Sequence, residues 1–288
     1  MTTLPPGLDR RLTPARPDLA AASLRGIVQA SEFVEGRPMR VLESVAALRR
    51  HPAPDAPLDT EALHGETVTV YEMTDEGWAW GQIDRDGYVG WLPSGALIAG
   101  VRQPTHRVSV LRTFLYPGPS IKLPPVMALS LGSTVTVLRE DGRFAITDQG
   151  AIVAGHLVPV GRHETDFVAV AERFVGVPYL WGGKTSLGLD CSGLAQLSLA
   201  AAGVAAPRDS DMQEACVGTS LPVGEAMQDL RRGDLLFWKG HVGIMQDRDR
   251  LLHANGHHML VVSEPVAEAC ERIQAKDGGP VTSVRRLG

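Results

Sequence analysis

One motif occurs twice in this chain. "GETVTV" at residues 65 to 70 returns as "GSTVTV" at 132 to 137. Each copy alternates polar and β-branched side chains, the period of a strand with one face buried. Each is followed by a turn, Thr74 to Gly77 and Glu140 to Gly142, and then by an aromatic-bearing strand, "WAWGQI" and "RFAIT". A further turn leads to "GYVGWLP" in the first copy and "GAIVAGHLVP" in the second. Short strands separated by Gly and Asp turns predict two small β-barrels, residues 37–100 and 101–160. Ahead of them, residues 1–36 are rich in Pro and Arg, with one short helical patch near Leu19 to Gln29. This arm is expected to wrap other domains rather than fold alone.

From about residue 164 the period changes. "TDFVAVAERFVG" carries Phe167, Val170, Ala171 and Phe174 at helical spacing, with Thr165 or Asp166 as cap and Gly176 as stop. "CSGLAQLSLAAAG" predicts a second helix with Leu194, Leu197 and Ala201 on one face and Gly203 closing it. "GDLLFW" and "HVGIMQ" predict strands joined by a tight turn at Lys239 and Gly240, and "RLLHANG" and "MLVVSEP" predict two more. Helices followed by an antiparallel sheet describe an α+β domain, residues 161–288.

Composition narrows the function. The chain has 288 residues, enough for one to three domains, and a net charge of −5 with no basic block. Neither nucleic acid nor an anionic membrane is an expected partner. No run reaches the ~18 apolar residues of a spanning helix. Three scattered cysteines make no disulfide framework, no metal-ligand spacing occurs, and no cofactor is expected. The opening "MTTLPPGLDRRLTPARPDLAAASLRG" has charge and proline where a signal peptide needs an apolar core, so a cytoplasmic protein with reduced thiols is expected.

Within "GLDCSGLAQLSLAAAG", Cys191 stands where a loop becomes an apolar helix. Unpaired N–H groups and partial positive charge at a helix start stabilise a thiolate, the nucleophilic form, so a lowered thiol pKa is expected. Asp190 can cap the helix and fix where Cys191 points. Gly193 removes bulk where a substrate backbone would approach. A nucleophile needs a base. His241 opens one predicted strand and His253 lies on the next, which sets two imidazoles side by side, with His253 holding His241 in the useful tautomer. His257 and His258 fall in a Gly-bounded turn and are read as coincidental.

"PYLWGGKTSLGLDCSGLAQ", "RRGDLLFWKGHVGIM" and "LLHANG" resemble the NlpC-type cell-wall peptidases, papain-like cysteine enzymes of bacteria. The resemblance implies Cys191 as nucleophile, His241 as base and His253 as the third polar residue. The two repeats resemble bacterial SH3 domains. The order of arm, two SH3 domains and peptidase is similar to γ-D-glutamyl-L-diamino acid endopeptidases, which recycle murein peptides. The implied fold is an α+β papain-like domain preceded by two SH3-like barrels, and the implied partner is a murein peptide, L-Ala-γ-D-Glu-diamino acid.

The resemblance also implies substrate contacts. Tyr179 and Trp181 would line the cleft, with Tyr179 beside the Cys191 N–H at the oxyanion; core packing is the alternative for both. Asp190 and Ser192 would contact γ-D-Glu, or Asp190 would serve only as the cap. Asp209 and Ser210 would hold the amine and backbone of the N-terminal L-Ala, or merely begin a helix. Tyr88 would close the cleft, joined by Asp59 or Glu61, or would pack in its barrel. Cys216 and Cys270 match no functional position and are read as structural. The competing functions are a non-catalytic murein-binding module and a papain-like acyltransferase or amidase.

Overall fold

The computed structural model describes residues 4–276 and 278–288, so the first three residues of the predicted arm lie outside the described residues. The chain divides into two compact units, residues 1–160 and 161–288.

In the first unit, the first repeat builds one seven-stranded sheet with all pairings antiparallel. Its order across the sheet is Leu58–Leu63, Val45–Arg49, Val89–Pro93, Trp78–Ile83, Thr67–Met73, Arg37–Val41 and Leu97–Ala99. The alternation of the motif decides which face is buried. Val68 and Val70 join Val41, Leu48, Ile83 and Leu92 in the core, while Thr67 and Thr69 stay half-buried.

The second repeat keeps a similar succession of strands, but its ladder is broken into sheets of three, two and three strands. A register shift between Val137 and Arg139 interrupts the strand after "GSTVTV". The loop between Arg112–Leu115 and Met127–Ser130 carries Pro117, Pro119, Pro124 and Pro125, none of which can donate a ladder hydrogen bond.

The two repeats meet at the motif itself. Thr134 donates its backbone N–H to the His64 carbonyl at 2.9 Å, and Arg40 pairs with Asp148 at 3.0 Å. Gly65 has a φ of +82°, and a Cβ built there would stand 2.1 Å from the Thr134 carbonyl oxygen. Gly65→Ala is therefore expected to cost about 2–5 kcal/mol, the sum of left-handed strain and overpacking. Gly142→Ala, also at positive φ but with nothing within 4 Å of the added carbon, should cost only the strain. Urea denaturation of both variants checks this; equal losses would mean that the joint is not tightly packed.

The arm contains no α-helix where one is predicted. Leu19–Ala21 is a strand paired in parallel with Glu32–Val34, followed by a 3-10 turn at Ala22–Leu24. All three strand residues are buried, and their ladder overrides the helix propensity of Leu and Ala. The arm is stitched to the first repeat by Val89 N–H to the Arg11 carbonyl and by Gln82 Nε2 to the Leu12 carbonyl, both 2.8 Å. The Arg16 guanidinium lies over Trp80 (4.4 Å) and Trp91 (4.9 Å) and pairs with Asp18 and Glu72.

Among its described residues, the second unit places five α-helices around a six-stranded antiparallel sheet. The helices are α1 (Phe167–Glu172), α2 (Cys191–Ala201), α3 (Ser210–Cys216), α4 (Val223–Ala226) and α5 (Val266–Ala275). The sheet order is Thr219–Leu221, Ser283–Arg286, Leu235–Trp238, His241–Met245, Arg250–Asn255 and Leu260–Pro265. Asp166 caps α1, accepting from the Val168 and Ala169 N–H groups at 2.9 and 3.2 Å. Helix α2 differs from the one-faced helix expected: every residue from Cys191 to Leu199 is buried, because α1, α3 and the sheet pack around it. Asp234, fully buried, pairs with Arg286 at 2.7 Å and so ties the Ser283–Arg286 strand into the sheet. No helix among the described residues is long and apolar enough to cross a membrane.

Candidate active site

Cys191 is the first residue of α2 and is 8% exposed. Asp190 precedes it as N-cap, accepting the Gly193 N–H at 2.7 Å. Why "PYLWGG" and "DCSG" belong together follows from the other contacts of Asp190. It also accepts the Gly182 N–H (2.9 Å) and the Ser192 hydroxyl (3.2 Å), and Arg208 grips both its oxygens at 2.9 and 2.7 Å. Arg208 is 1% exposed and also donates to Ser192 Oγ (2.8 Å) and the Gly183 carbonyl (3.2 Å). Asp190 is thus a filled internal node, and its bonds describe the cap rather than a γ-D-Glu contact. Ser192 is buried and spanned between Asp190 and Arg208.

Gly193 is also explained differently from the sequence expectation. A Cβ there would lie 2.5 Å from the Gly183 carbonyl oxygen, so it is the Gly-Gly loop that approaches the helix, not a substrate.

The backbone N–H groups of Val242 and Ser192 hydrogen-bond the Cys191 sulfur, which brings the start of the His241–Met245 strand to the helix start. Both contacts favour the thiolate, as a helix N-terminus should. Burial outweighs them, and with the Asp190 charge it pushes the thiol up to about 12, opposite to the lowering expected from the sequence. His241 is pushed down to about 3, first by burial and then by His253 and Arg272. Burial thus works against the charged form of both groups.

His241 and His253 do stand together. The registers of the central strands set them diagonally across adjacent strands, with His241 Nε2 2.8 Å from His253 Nδ1. His253 lies opposite Val262 and Leu251 opposite Glu264, so His253 and Glu264 share a face of the sheet. His253 Nε2 is 2.6 Å from Glu264 Oε1, and Arg272 of α5 closes on the Glu264 carboxylate. His257 and His258 lie in the following turn, where His258 bonds Asn255.

Tyr179 is half-buried, and its backbone N–H is held by the Met259 carbonyl at 2.8 Å. Burial, then the charges of Cys191 and Asp190, raise its phenol, which keeps the hydroxyl protonated and able to donate. Trp181 is 68% exposed, so core packing does not describe it. Asp209 stands at the N-cap position of α3 but makes no side-chain capping bond; Ser210 is buried as the first residue of that helix. In the first unit, Tyr88 is buried in the core of the first repeat, Asp59 pairs with Arg50 at 2.7 Å, and Glu61 is buried. Cys270, on α5, packs against the core beneath that helix, whereas Cys216 is exposed, so the structural role read for Cys216 is not one of packing.

Sequence reasoning passed over Arg208, Gln213, Glu264 and Arg272. Gln213 is fully buried and donates to the Ser192 and Pro207 carbonyls, both at 2.9 Å. The available signals were an arginine beside Asp209 in "PRDSDMQ" (residues 207–213) and an acid within the apolar strand "LVVSEP".

A thiol at the start of a buried helix, packed on an antiparallel sheet that presents a hydrogen-bonded imidazole line, defines a papain-like thiol hydrolase. Residues 48–97 match the bacterial dipeptidyl-peptidase Sh3 domain, and residues 176–274 match the NlpC/P60 family. Residues 176–274 are thus an NlpC/P60 cysteine-peptidase domain, preceded by a bacterial SH3 domain. A γ-D-glutamyl-L-lysine dipeptidyl-peptidase of Bacillus subtilis (strain 168) is 29% identical over 231 residues, 69% of this chain and 73% of that protein. A protein of the same name from Bacillus cereus (strain ATCC 10987 / NRS 248) is 25% identical over 211 residues, 63% of this chain and 60% of that protein. The crystal structure of an NlpC/P60 family protein from Bacillus cereus ATCC 10987 has a TM-score of 0.71 at 21% identity. That likeness covers 87% of this chain and 99% of the other and is one of fold.

Proposed function

We propose that this peptidase hydrolyses the bond between γ-D-Glu and the diamino acid of murein peptides whose L-Ala carries a free amine. The observation behind the chemistry is the Cys191 thiol at the start of α2, met by the backbone N–H of Val242, the residue after His241, on the sheet that carries the His241–His253 pair joined at 2.8 Å. The substrate class is supported by relatives named γ-D-glutamyl-L-lysine dipeptidyl-peptidase.

In the proposed cycle His241 takes the Cys191 proton as the sulfur adds to the γ-carbonyl carbon of D-Glu. The Cys191 N–H and the Tyr179 hydroxyl receive the oxyanion. Collapse of the tetrahedral intermediate breaks the C–N bond, and His241 returns the proton to the departing amine. Water then adds to the thioester, giving its proton to His241, and the thiol is released with L-Ala-γ-D-Glu. Trp181 lines the cleft. Asp209 and Ser210 receive the amine and backbone of the L-Ala. Under this reading the second repeat, residues 101–160, is a further SH3-like barrel, residues 1–36 are an arm, and the enzyme works on recycled peptides in the cytoplasm. Arg16 covers Trp80 and Trp91 of the first repeat, which weighs against a murein-binding role for that aromatic face.

The test compares kcat/KM for L-Ala-γ-D-Glu-meso-diaminopimelate with and without N-acetylation, by mass spectrometry of the products. Acetylation removes the positive charge that Asp209 would pair with. A lost charged contact of about 2–5 kcal/mol predicts a fall of roughly 30- to 5000-fold. Asp209→Asn should narrow that ratio. Equal rates on the two peptides would exclude an amine-reading site.

A further inference from the structure

A continuous hydrogen-bonded line runs from His241 across two neighbouring strands and ends on α5. His241 Nε2 meets His253 Nδ1 (2.8 Å), and His253 Nε2 meets Glu264 Oε1 (2.6 Å). Arg272 closes the line with Nη1 to Oε2 (2.6 Å) and Nη2 to Oε1 (2.5 Å). We propose that Glu264, clamped by Arg272, is a positioning residue that selects, through His253, the one tautomer in which His241 can act as a base.

Each bond fixes the next proton. A carboxylate gripped by an Arg fork can only accept, so His253 Nε2 must carry hydrogen. Burial alone would raise the Glu264 carboxyl, but the His253 and Arg272 bonds outweigh it and hold it at about 2. Burial also keeps His253 below the ordinary imidazole value, so the ring is neutral and its Nδ1 is a lone pair. His241 must then donate from Nε2, which leaves Nδ1 as the nitrogen free to take a proton. If His253 held its proton on Nδ1 instead, the line would reverse and His241 Nδ1 would already be protonated. His253 alone cannot choose between these states, because an imidazole can donate or accept at either nitrogen. Glu264 can.

The inference concerns the same pair assigned above, but its main test needs no substrate. In the full chain labelled with 15N-histidine, long-range 1H–15N spectra distinguish protonated from lone-pair ring nitrogens, with assignments from His241→Ala and His253→Ala. Wild type should show Nε2 protonated and Nδ1 unprotonated on both His241 and His253. Glu264→Ala should mix the tautomers and lower kcat by roughly 10- to 100-fold, the usual cost of losing a group that orients a histidine, with KM unchanged. Glu264→Gln can still offer an oxygen to His253 and should recover part of the loss. A purely structural tie between α5 and the sheet would leave the tautomers alone. A wild-type spectrum with His241 Nδ1 protonated would overturn the proposal, as would Glu264→Ala with unchanged tautomers and kcat. Should Glu264→Ala fail to fold, the wild-type and Glu264→Gln spectra decide. A wrong substrate would silence the kinetic readings and leave the spectra as they are.

Discussion

Cys191→Ala is expected to abolish hydrolysis while leaving the fold in place. Alanine is well tolerated at the first residue of a helix, and the cap is supplied by Asp190 and not by the cysteine. The lost volume is a single sulfur. Nothing else in the line from His241 to Arg272 is a nucleophile, so the fall in kcat should be about 10^4-fold or more. His241→Ala should be nearly as severe, and the double variant no worse than either, because the two act as one unit. His253→Ala should be milder, because His253 orients His241 and does not itself react. Rates are compared at equal protein concentration, with circular dichroism to check the fold. Activity of Cys191→Ala within tenfold of wild type would sink the assignment of the nucleophile.

Arg208→Met is expected to be the most destabilising single change in the peptidase unit. Arg208 and the Asp190 side chain are 1% and 11% exposed, and the guanidinium occupies both carboxylate oxygens. Removing the cation leaves a buried, uncompensated carboxylate, which typically costs about 3–5 kcal/mol. The loss reaches the chemistry as well, because the same carboxylate fixes the Gly182 and Gly193 N–H groups on either side of Cys191. Arg208→Lys keeps the charge but not the fork, and should fall in between. Asp190→Asn combined with Arg208→Met should recover part of the stability, since the stranded charge is gone. Urea denaturation of the set measures each step. A loss below about 1 kcal/mol for Arg208→Met would show that the pair contributes no more than an exposed one.

The placements of Cys191, His241 and His253 were legible because local pattern carries them. A capping acid before an apolar run marks a helix start, and two alternating runs separated by a tight turn mark adjacent strands. Arg208, Glu264 and Arg272 were not legible in the same way. Each matters through a partner brought close only by folding, and no local period announces an ion pair between a helix cap and a residue one helix later. The arm misled for a related reason. Leu19–Ala21 has helical composition, but a parallel partner at Glu32–Val34 fixes it as a strand. The sign of the Cys191 shift was missed because a helix N-terminus is visible in sequence, whereas the desolvation that outweighs it is not.

The Ser283–Arg286 strand lies inside the sheet, between Thr219–Leu221 and Leu235–Trp238. It follows every member of the histidine line in chain order, so the ribosome makes the reactive side chains before the strand that completes their support. Until that segment emerges, Asp234 has no Arg286 to pair with and the Leu235–Trp238 strand, next to His241, has an open edge. A nascent chain that has passed Arg272 but not Arg286 therefore holds the whole histidine line beside an unpaired sheet edge.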